Sequence, residues 1–316
     1  MERALLLTGK SLSQGSLLSS VREAGGGRIA AEFAEVAAHN PTSTVAAAHG
    51  AFVAANADAI VAFGGGSVVD CAKAVKHTSM AGTDDSSRGI PLVDLATTLS
   101  GAEFACSFGQ TDDETLVKLG ARALNLTANA IFLDPFLTTE TPDWLWAATG
   151  MRAVDHAVET ILAPNAIPYL DALASSALDV FSKKLTLSLT GDEEPRMVCL
   201  QAAWMAHTGS YFIQWGLSHQ MGRQLGPRFA IPHGFTSAIL LPSVVEMERP
   251  TKIEQEACVA RNLNTGSGGA ANALRRLVRD LGLPSTLREA GITDRDAVEA
   301  LFAGNQPALA VIDRSW

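Results

Sequence analysis

The chain has 316 residues, of which 47% are hydrophobic and 18% are charged, and its formal net charge is −9. This composition is typical of a globular protein of about two domains, and the acidic balance gives no electrostatic reason to bind nucleic acid. The sequence has no apolar stretch near the length of a membrane span. We therefore expect a cytoplasmic protein without a nucleic-acid or membrane partner.

Short apolar runs alternate with helical stretches in the first part of the chain. The strand-like runs are followed by glycines, by hydroxyl-bearing residues or by an Asp-Pro pair. The stretches between them have helical character. The predicted strands are Ala4–Leu7, Asp58–Phe63, Leu92–Leu95 and Ala130–Leu133, and the predicted helices include Ser43–Asn56 and Val68–Met80. Strands that alternate with helices indicate a mostly parallel sheet with crossover helices.

After Pro142 the pattern changes to apolar spacings of three and four residues, and β-branched runs become scarce. The predicted helices there are Trp144–Leu162, Tyr169–Leu189, Pro195–Gly216, Ile253–Asn262 and Gly268–Asp280. We therefore predict an α/β dinucleotide-binding domain over residues 1–141 and an all-α domain over residues 142–316, which would hold the substrate.

A glycine-rich turn, Gly64-Gly65-Gly66-Ser67, lies between a predicted strand and a predicted helix. Free backbone N–H groups and the helix dipole favour an anion at such a place, and glycine lets the backbone approach a phosphate closely. Asp70 follows on the first turns of the helix. The pattern is not G-x-G-x-x-G, so a plain glycine-rich turn remains the alternative.

A second segment, Thr97-Thr98-Leu99-Ser100-Gly101, follows the predicted strand Leu92–Leu95. Ligands gather at the C-terminal ends of strands in a parallel sheet, so these hydroxyls and this glycine can line the same cleft as the first turn. The alternative is a loop that caps the next helix through a serine or threonine, and both roles are compatible.

Three histidines in the second half stand in distinctive surroundings. Arg152 precedes His156 by four residues, Arg223 follows His219 by four residues, and His233 lies in Pro-His-Gly. Three neutral imidazoles that meet in space could hold a divalent metal or supply protons for carbonyl reduction. Each could equally be a hydrogen-bonded structural histidine. The remaining histidines lack such surroundings and are interpreted as structural or surface residues.

Together, these segments resemble the iron-containing (group III) alcohol dehydrogenase superfamily, and within it the maleylacetate reductases. The resemblance rests on the segments 64–73, 97–104, 134–135, 150–159, 216–226 and 232–234, which occur in the right order over nearly the whole chain. It implies a dehydroquinate synthase-like fold, with the active site between the two domains and a homodimer as the usual assembly.

The resemblance also implies roles for the residues that bind NAD(P)H. The turn Gly64–Ser67 and Asp70 would hold the cofactor, with the pyrophosphate on the turn. Thr97, Thr98 and Leu99 would lie along the nucleotide, and Lys118 would reach the nicotinamide ribose. NAD-specific members carry an acidic residue after the first strand, whereas this chain has Lys10 there. We therefore expect NADPH to be accepted.

Two departures from the family concern the site itself. The metal ligands of the family would correspond to His156, His219 and His233, but the aspartate that completes the set is Arg152 here. A cation beside a dication is repelled by several kcal/mol, so a bound divalent metal is doubtful. Arg223 replaces a histidine of many members. Arginine binds carboxylates through a bidentate fork, which suits a small anionic substrate, although pairing with Asp155 or Glu159 is the alternative.

The sequence therefore predicts an NAD(P)H-dependent reductase of a small carboxylated carbonyl or enone, with maleylacetate reduction to 3-oxoadipate in aromatic catabolism as the preferred reaction. Arg152 and Arg223 would orient the substrate, and His156, His219 or His233 would stabilise the oxyanion and deliver the proton. One alternative is a metal-dependent alcohol dehydrogenase acting on neutral alcohols. Another, motivated by the short termini and the missing aspartate, is a degenerate non-catalytic member.

Overall fold

The computed structural model describes residues 2–81, 89–210, 212–264 and 268–316. The chain divides into two units, Met1–Thr141 and Pro142–Trp316. The first unit contains a parallel sheet with flanking helices, and the second consists of helices, so the predicted fold class is confirmed. Within the described ranges, no helix is long and apolar enough to cross a membrane.

The first unit alternates strands and helices along most of its length. Its elements are β1 (Ala4–Thr8), α1 (Lys10–Ser13), α2 (Leu17–Gly25), β2 (Ile29–Phe33), α3 (Thr42–Ala54), β3 (Ala59–Gly64), α4 (Gly66–Met80), β4 (Leu92–Ala96), β5 (Ser107–Thr111), β6 (Lys118–Arg122) and β7 (Ala130–Phe132). The four strands predicted from the sequence correspond to β1, β3, β4 and β7, and β2 and the β5–β6 pair were not predicted.

The main sheet has the strand order β2-β1-β3-β4-β7, and all its neighbouring strands are parallel. From β1 the chain goes to β2 on one side and then returns to β3 on the other. The direction in which successive strands are added to the sheet therefore reverses between β1 and β3. In open α/β sheets, ligands bind at such a switch point. The loops after β1 and β3 are consequently the candidate cofactor loops.

Both faces of this sheet are covered, which explains the apolar character of its strands. Leu5 and Leu7 of β1 face a core that also contains Val45 of α3 and Val75 of α4. The alternate residues of β1 face a second core, which includes Leu18 of α2. Strands β5 and β6 form a separate antiparallel pair.

The helical unit comprises α5 (Asp143–Leu162), α6 (Pro168–Lys184), α7 (Glu193–Ser210), α8 (Leu217–Phe229), α9 (His233–Glu248), α10 (Ile253–Asn262), α11 (Ala270–Asp280), α12 (Arg295–Leu301) and α13 (Gln306–Ser315). The predicted helix Pro195–Gly216 ends earlier, at Ser210, and its residue 211 lies outside the described residues. Helices α5 and α9 are buried along most of their length, so they form the centre of this unit.

Helices α8, α9, α12 and α13 were not predicted, and α8 and α9 contain Pro227 and Pro242, which disfavour a helix interior. Close packing explains how the helices form nevertheless. A Cβ on Gly222 of α8 would lie 2.6 Å from the hydroxyl oxygen of Thr236 on α9. Small residues at this crossing let the two helices approach each other, and the tertiary contacts outweigh the poor helix propensity.

A buried carboxylate in β4 has an unusual environment. Asp94 is fully buried, and neither of its carboxylate oxygens has a hydrogen-bond partner among the described residues. Burial raises the pKa of Asp94 to about 7, against the opposing charge of Lys73. Lys73 itself is buried and donates to the carbonyl oxygens of Ala102 and Ala105, each at 2.5 Å. The carboxylate is therefore costly to ionise in the folded state.

Replacing this carboxylate is expected to stabilise the protein. The folded-state pKa of Asp94 lies above its unfolded value, so the wild type loses stability as the pH rises toward that pKa. Asp94→Val should raise the free energy of unfolding by about 1–3 kcal/mol at about pH 8, and by less at about pH 5. Urea denaturation followed by circular dichroism measures both values. A loss of stability at the higher pH would mean that Asp94 and Lys73 stabilise each other as an ion pair.

Candidate active site

The glycine-rich turn of the first unit connects β3 to α4. Gly65 precedes the helix, and no side chain caps its N-terminus. The backbone N–H groups of Val68 and Val69 bond to the carbonyl oxygen of Gly65. The N–H groups at the start of a helix have no partner within the helix, and the dipole there is positive. This turn is therefore suited to hold a phosphate.

The turn packs closely against the segment that follows β4. A Cβ on Gly65 would lie 2.7 Å from Cγ2 of Thr98, and a Cβ on Gly66 would lie 3.1 Å from Oγ of Ser100. The backbone N–H of Thr97 donates to the carbonyl oxygen of Gly64 at 3.1 Å. The structure thus brings the two predicted cofactor segments together. The side chain of Leu99 is fully buried, so this residue can offer a ligand only its backbone.

Asp70 and Lys118 also lie near each other. The Asp70 carboxylate accepts a hydrogen bond from the backbone N–H of Gly109 at 3.1 Å, and the Lys118 ammonium donates to the carbonyl oxygen of His39 at 3.2 Å. Burial raises the pKa of Asp70 to about 6, while the positive charges of Lys73 and Lys118 oppose the shift. The β5–β6 pair therefore carries Lys118 to the helix that begins at the phosphate turn.

In the helical unit, one helix carries several of the candidate site residues. Arg152, Asp155, His156 and Glu159 are spaced by three and four residues along α5 and therefore lie on one side of it. Asp155, His156 and Glu159 are buried, and the Arg152 side chain is 12% exposed. Ionisable groups at this depth need partners, and α8 and α9 supply them.

The Arg152 guanidinium is enclosed by polar partners. Nη1 lies 3.3 Å from Oδ2 of Asp155 and 3.2 Å from Oγ of Ser237. Nη2 lies 2.6 Å from Nδ1 of His219. The Asp155 oxygen that pairs with Arg152 also accepts hydrogen bonds from the hydroxyls of Ser218 and Ser237. Pairing with Asp155, the alternative left open by the sequence, is thus present for Arg152.

Four aromatic rings form a cluster that contacts this charge through His219. The ring of His156 lies 5.3 Å from that of His207, 5.3 Å from that of Trp215 and 6.0 Å from that of His219, measured between centroids. Trp215 stacks on His219 with centroids 3.6 Å apart and 19° between the ring planes. Two of the predicted histidines thus meet in space, and His207, which the sequence did not single out, joins them.

The third predicted histidine, His233, begins α9 and packs against α8. A Cβ on Gly226 would lie 2.9 Å from the ring atoms Cε1 and Nδ1 of His233. Its proximity to His219 contributes to the lowered pKa of that residue. Arg223, on the same helix as His219, is exposed, and its charge acts on both Arg152 and His219. All the predicted site residues of the helical unit therefore lie in one region.

The acidic side chains complete the electrostatics of this cluster. Glu159 accepts hydrogen bonds from the backbone N–H groups of His219, at 3.0 Å, and Gly216, at 3.1 Å. Burial raises the pKa of Glu159 to about 8, with the charge of Asp155 as the next cause. Burial, followed by the charge of Arg152, holds the pKa values of His156 and His219 well below their usual range. Both imidazoles are therefore neutral near pH 7.

The donor set of this cluster does not fit a divalent metal. The Arg152 guanidinium, which carries a positive charge, lies 2.6 Å from Nδ1 and 3.3 Å from Nε2 of His219, where it would repel a dication bound by that ring. Across the part of the chain that the structure describes, no group of three or more His, Cys, Asp or Glu side chains is arranged to hold a metal ion. The cluster of rings and charges is instead arranged for hydrogen bonding.

Several residues of this cluster were not predicted as site residues from the sequence. Asp155 and Glu159 had been considered only as partners of the arginines, and Trp215 and Ser237 had not been considered. The two acids carry a local signal, because they follow Arg152 at helical spacing. Trp215 and Ser237 lie outside α5 and contact it only through the tertiary fold, so spacing along the sequence gives no signal for them.

Family models match both parts of the chain. The iron-containing alcohol dehydrogenase model matches residues 1–135. The model of the C-terminal part of the Fe-containing alcohol dehydrogenase family matches residues 146–309.

Individual proteins that resemble the chain include several reductases. Maleylacetate reductase 2 of Cupriavidus pinatubonensis is 33% identical over 76% of this chain and 65% of its own length. Lactaldehyde reductase of Escherichia coli is 28% identical over 99% of this chain and 90% of its own length. The crystal structure of maleylacetate reductase from Agrobacterium tumefaciens covers the whole chain with a TM-score of 0.85 and 25% identity, over 90% of that protein.

Substitution of a glycine at the start of α9 tests the packing of α9 against α5. A Cβ on Gly234 would lie 2.1 Å from the backbone oxygen of Ala148, so Gly234→Ala must push the helices apart. We expect this variant to lose about 2 kcal/mol or more of unfolding free energy. All the tryptophans belong to the helical unit, so tryptophan fluorescence in urea follows that unit.

The control is Gly50→Ala in α3, where an added Cβ meets no atom within 4 Å. This variant should leave the tryptophan-detected transition in place, since alanine is the better helix former. Equal losses in the two variants would contradict the close approach of α5 and α9.

Proposed function

The chain belongs to the iron-containing alcohol dehydrogenase family of oxidoreductases, and from this premise we propose that it uses NAD(P)H to reduce a small anionic carbonyl or enone substrate. Maleylacetate, reduced to 3-oxoadipate, is the substrate that we propose. The observation that carries the proposal is the Arg152 guanidinium in contact with His219, with exposed Arg223 beside it. The exposed charge of Arg223, beside neutral imidazoles, favours a substrate that brings negative charge.

The two arginines have different parts in this proposal. Arg152 is already paired with Asp155 and Ser237, so its guanidinium is partly committed. Arg223 is exposed and can turn toward a ligand, so we propose that it makes the direct contact with a substrate carboxylate. Arg152 adds positive charge nearby. The relative named maleylacetate reductase, at 33% identity, supports the same substrate class.

A metal-dependent alcohol dehydrogenase that acts on neutral alcohols is the second candidate. The family name and the lactaldehyde reductase relative favour it, and family membership alone gives no support to a metal-free site. We nevertheless propose a reaction without a metal ion, because Arg152 lies against His219 and would repel a dication by several kcal/mol.

In our proposal the cofactor is held by the first unit. The turn Gly64–Ser67 would take the pyrophosphate at the start of α4, and Thr97, Thr98, Asp70 and Lys118 would contact the rest of the nucleotide. A bound reduced nicotinamide supplies the hydride. Lys10 follows β1, the strand next to β3 at the switch point, and the stretch 9–14 contains no carboxylate. A 2′-phosphate is therefore accepted, and NADPH is the preferred form.

The choice of cofactor can be tested at Lys10. An acidic residue at this place would hold a ribose 2′-hydroxyl and repel a 2′-phosphate. Lys10→Glu should raise the KM for NADPH about 10- to 100-fold and leave the KM for NADH within about 3-fold. Lys183→Glu, an exposed charge reversal on α6, is the control and should change neither value. Equal effects of Lys10→Glu on both cofactors would place Lys10 away from the 2′-phosphate.

The substrate class can be tested at Arg223. Loss of one charge-assisted contact should lower kcat/KM of Arg223→Ala for maleylacetate about 10- to 100-fold. The value for a neutral aldehyde of similar size should change by less than about 3-fold. Arg228→Ala removes another exposed arginine of α8 and serves as the matched control. Equal losses on both substrates would contradict the carboxylate contact.

A further inference from the structure

A buried lysine of α4 holds both ends of a short turn in the loop that follows β4. The turn is a single 3₁₀ turn, Ala102–Phe104. Lys73 is 0% exposed, and its Nζ donates hydrogen bonds to the carbonyl oxygens of Ala102 and Ala105, each at 2.5 Å. An ammonium group has three donors and no acceptor, so at least two of its donors are used on the backbone of this loop. Lys73 therefore ties the turn to α4.

The same loop places two hydroxyl groups beside the glycine-rich turn. The backbone N–H of Ala102 lies 3.3 Å from Oγ of Ser100, and a Cβ on Gly66 would lie 3.1 Å from this oxygen. A Cβ on Gly65 would lie 3.0 Å from Oγ1 of Thr98. This Oγ1 is buried and has no hydrogen-bond partner among the described residues. A buried hydroxyl without a protein partner is available to an oxygen of a ligand.

The beginning of the loop is held without the lysine. The backbone N–H of Thr97 donates to the carbonyl oxygen of Gly64 at 3.1 Å, and Oγ1 of Thr141 donates to the carbonyl oxygen of Thr97 at 2.7 Å. Between this point and the held turn, Gly101 has a φ of 72°, a left-handed conformation that favours glycine. Lys73 is therefore the side chain that fixes the second half of the loop to α4.

A second buried lysine of α4 provides a comparison within the same helix. Lys76 is 3% exposed, and its Nζ donates to the carbonyl oxygen of Thr127 at 3.3 Å, in the loop before β7. Burial lowers the pKa of both lysines, and the charge of Asp94 opposes the shift in each. The two lysines thus share a helix, a depth and a charged neighbour. They differ in the loop that each one holds.

We propose that Lys73 is a positioning residue for the cofactor, because it holds the hydroxyls of Thr98 and Ser100 beside the glycine-rich turn. There they can donate to the oxygens of the dinucleotide phosphates. The part that concerns the cofactor rests on the proposed function. Lys73 lies behind the loop and acts through it, without contact with the nucleotide. A loop that is already ordered binds more tightly, since its ordering no longer opposes binding.

The first test uses the free protein and needs no ligand. Hydrogen exchange followed by mass spectrometry compares the amides of residues 97–105 with those of residues 124–129. Lys73→Met should speed exchange in 97–105 about 10-fold or more and leave 124–129 within about 3-fold of the wild type. The matched control Lys76→Met should show the opposite pattern. Unchanged exchange in 97–105, or equal acceleration of both segments in Lys73→Met, would overturn the proposal.

Loss of Lys73 leaves Asp94 and its buried acidic neighbours without this cation, so the single variant can fail to fold. Lys73→Met/Asp94→Val removes both charges, and Lys76→Met/Asp94→Val is its matched control. Thermal unfolding by circular dichroism shows which variants are folded. The two double variants should differ in the same way as the single ones, and equal exchange of 97–105 in both would overturn the positioning role.

The second test measures the cofactor itself. NADPH fluorescence titration should give a Kd about 10-fold or more higher for Lys73→Met, or for its double variant, and a Kd within about 3-fold of the wild type for the Lys76 control. At saturating substrate, the KM for NADPH should rise while kcat stays within about 3-fold, because the reacting atoms are untouched. An unchanged Kd in a folded Lys73 variant would overturn the role in cofactor binding. If the wild type binds no NADPH, the proposed function fails, while hydrogen exchange still decides whether Lys73 holds the loop.

Discussion

The buried positive charge of Arg152 constrains the arrangement of the helical unit. A guanidinium at this depth is stable only with acceptors around it, and each neighbouring helix contributes. Asp155 on α5 provides the counter-charge, Ser237 on α9 provides a hydroxyl, and His219 on α8 provides a ring nitrogen. Because these three partners come from three helices, the charge fixes how α5, α8 and α9 pack.

The same charge affects the protonation state of the neighbouring histidines. Its field, added to burial, keeps the pKa values of His156 and His219 low, so their rings are neutral hydrogen-bonding groups. In our proposal it also repels a dication, although the chain belongs to a family named for iron. We therefore propose that the arginine at this position favours binding and orienting an anion over metal chemistry.

The parts of the structure that could be predicted from sequence are those with a local physical signal. The strands β1, β3, β4 and β7 are recognised by their apolar runs, and the phosphate turn is recognised because glycine follows a strand directly. The partners of Arg152 differ in the same way: one has a local signal in the sequence and another has none. Asp155 lies at helical spacing and was foreseen as a candidate, whereas Ser237 lies 85 residues away and has no local signal. Helices α8 and α9 contain Pro227 and Pro242, whose cost to a helix is outweighed only by tertiary packing.

The most direct test of this account is the oxidation of NADPH by metal-stripped protein, with maleylacetate compared with a neutral aldehyde of similar size. We predict turnover of maleylacetate after chelation, slower turnover of the aldehyde, and no gain when iron or zinc is added back. Activity on the aldehyde alone, and only after a metal is restored, would contradict it and would make His156, His219 and His233 metal ligands. Binding of NADPH without turnover of either substrate would also contradict it and would support a non-catalytic member of the family.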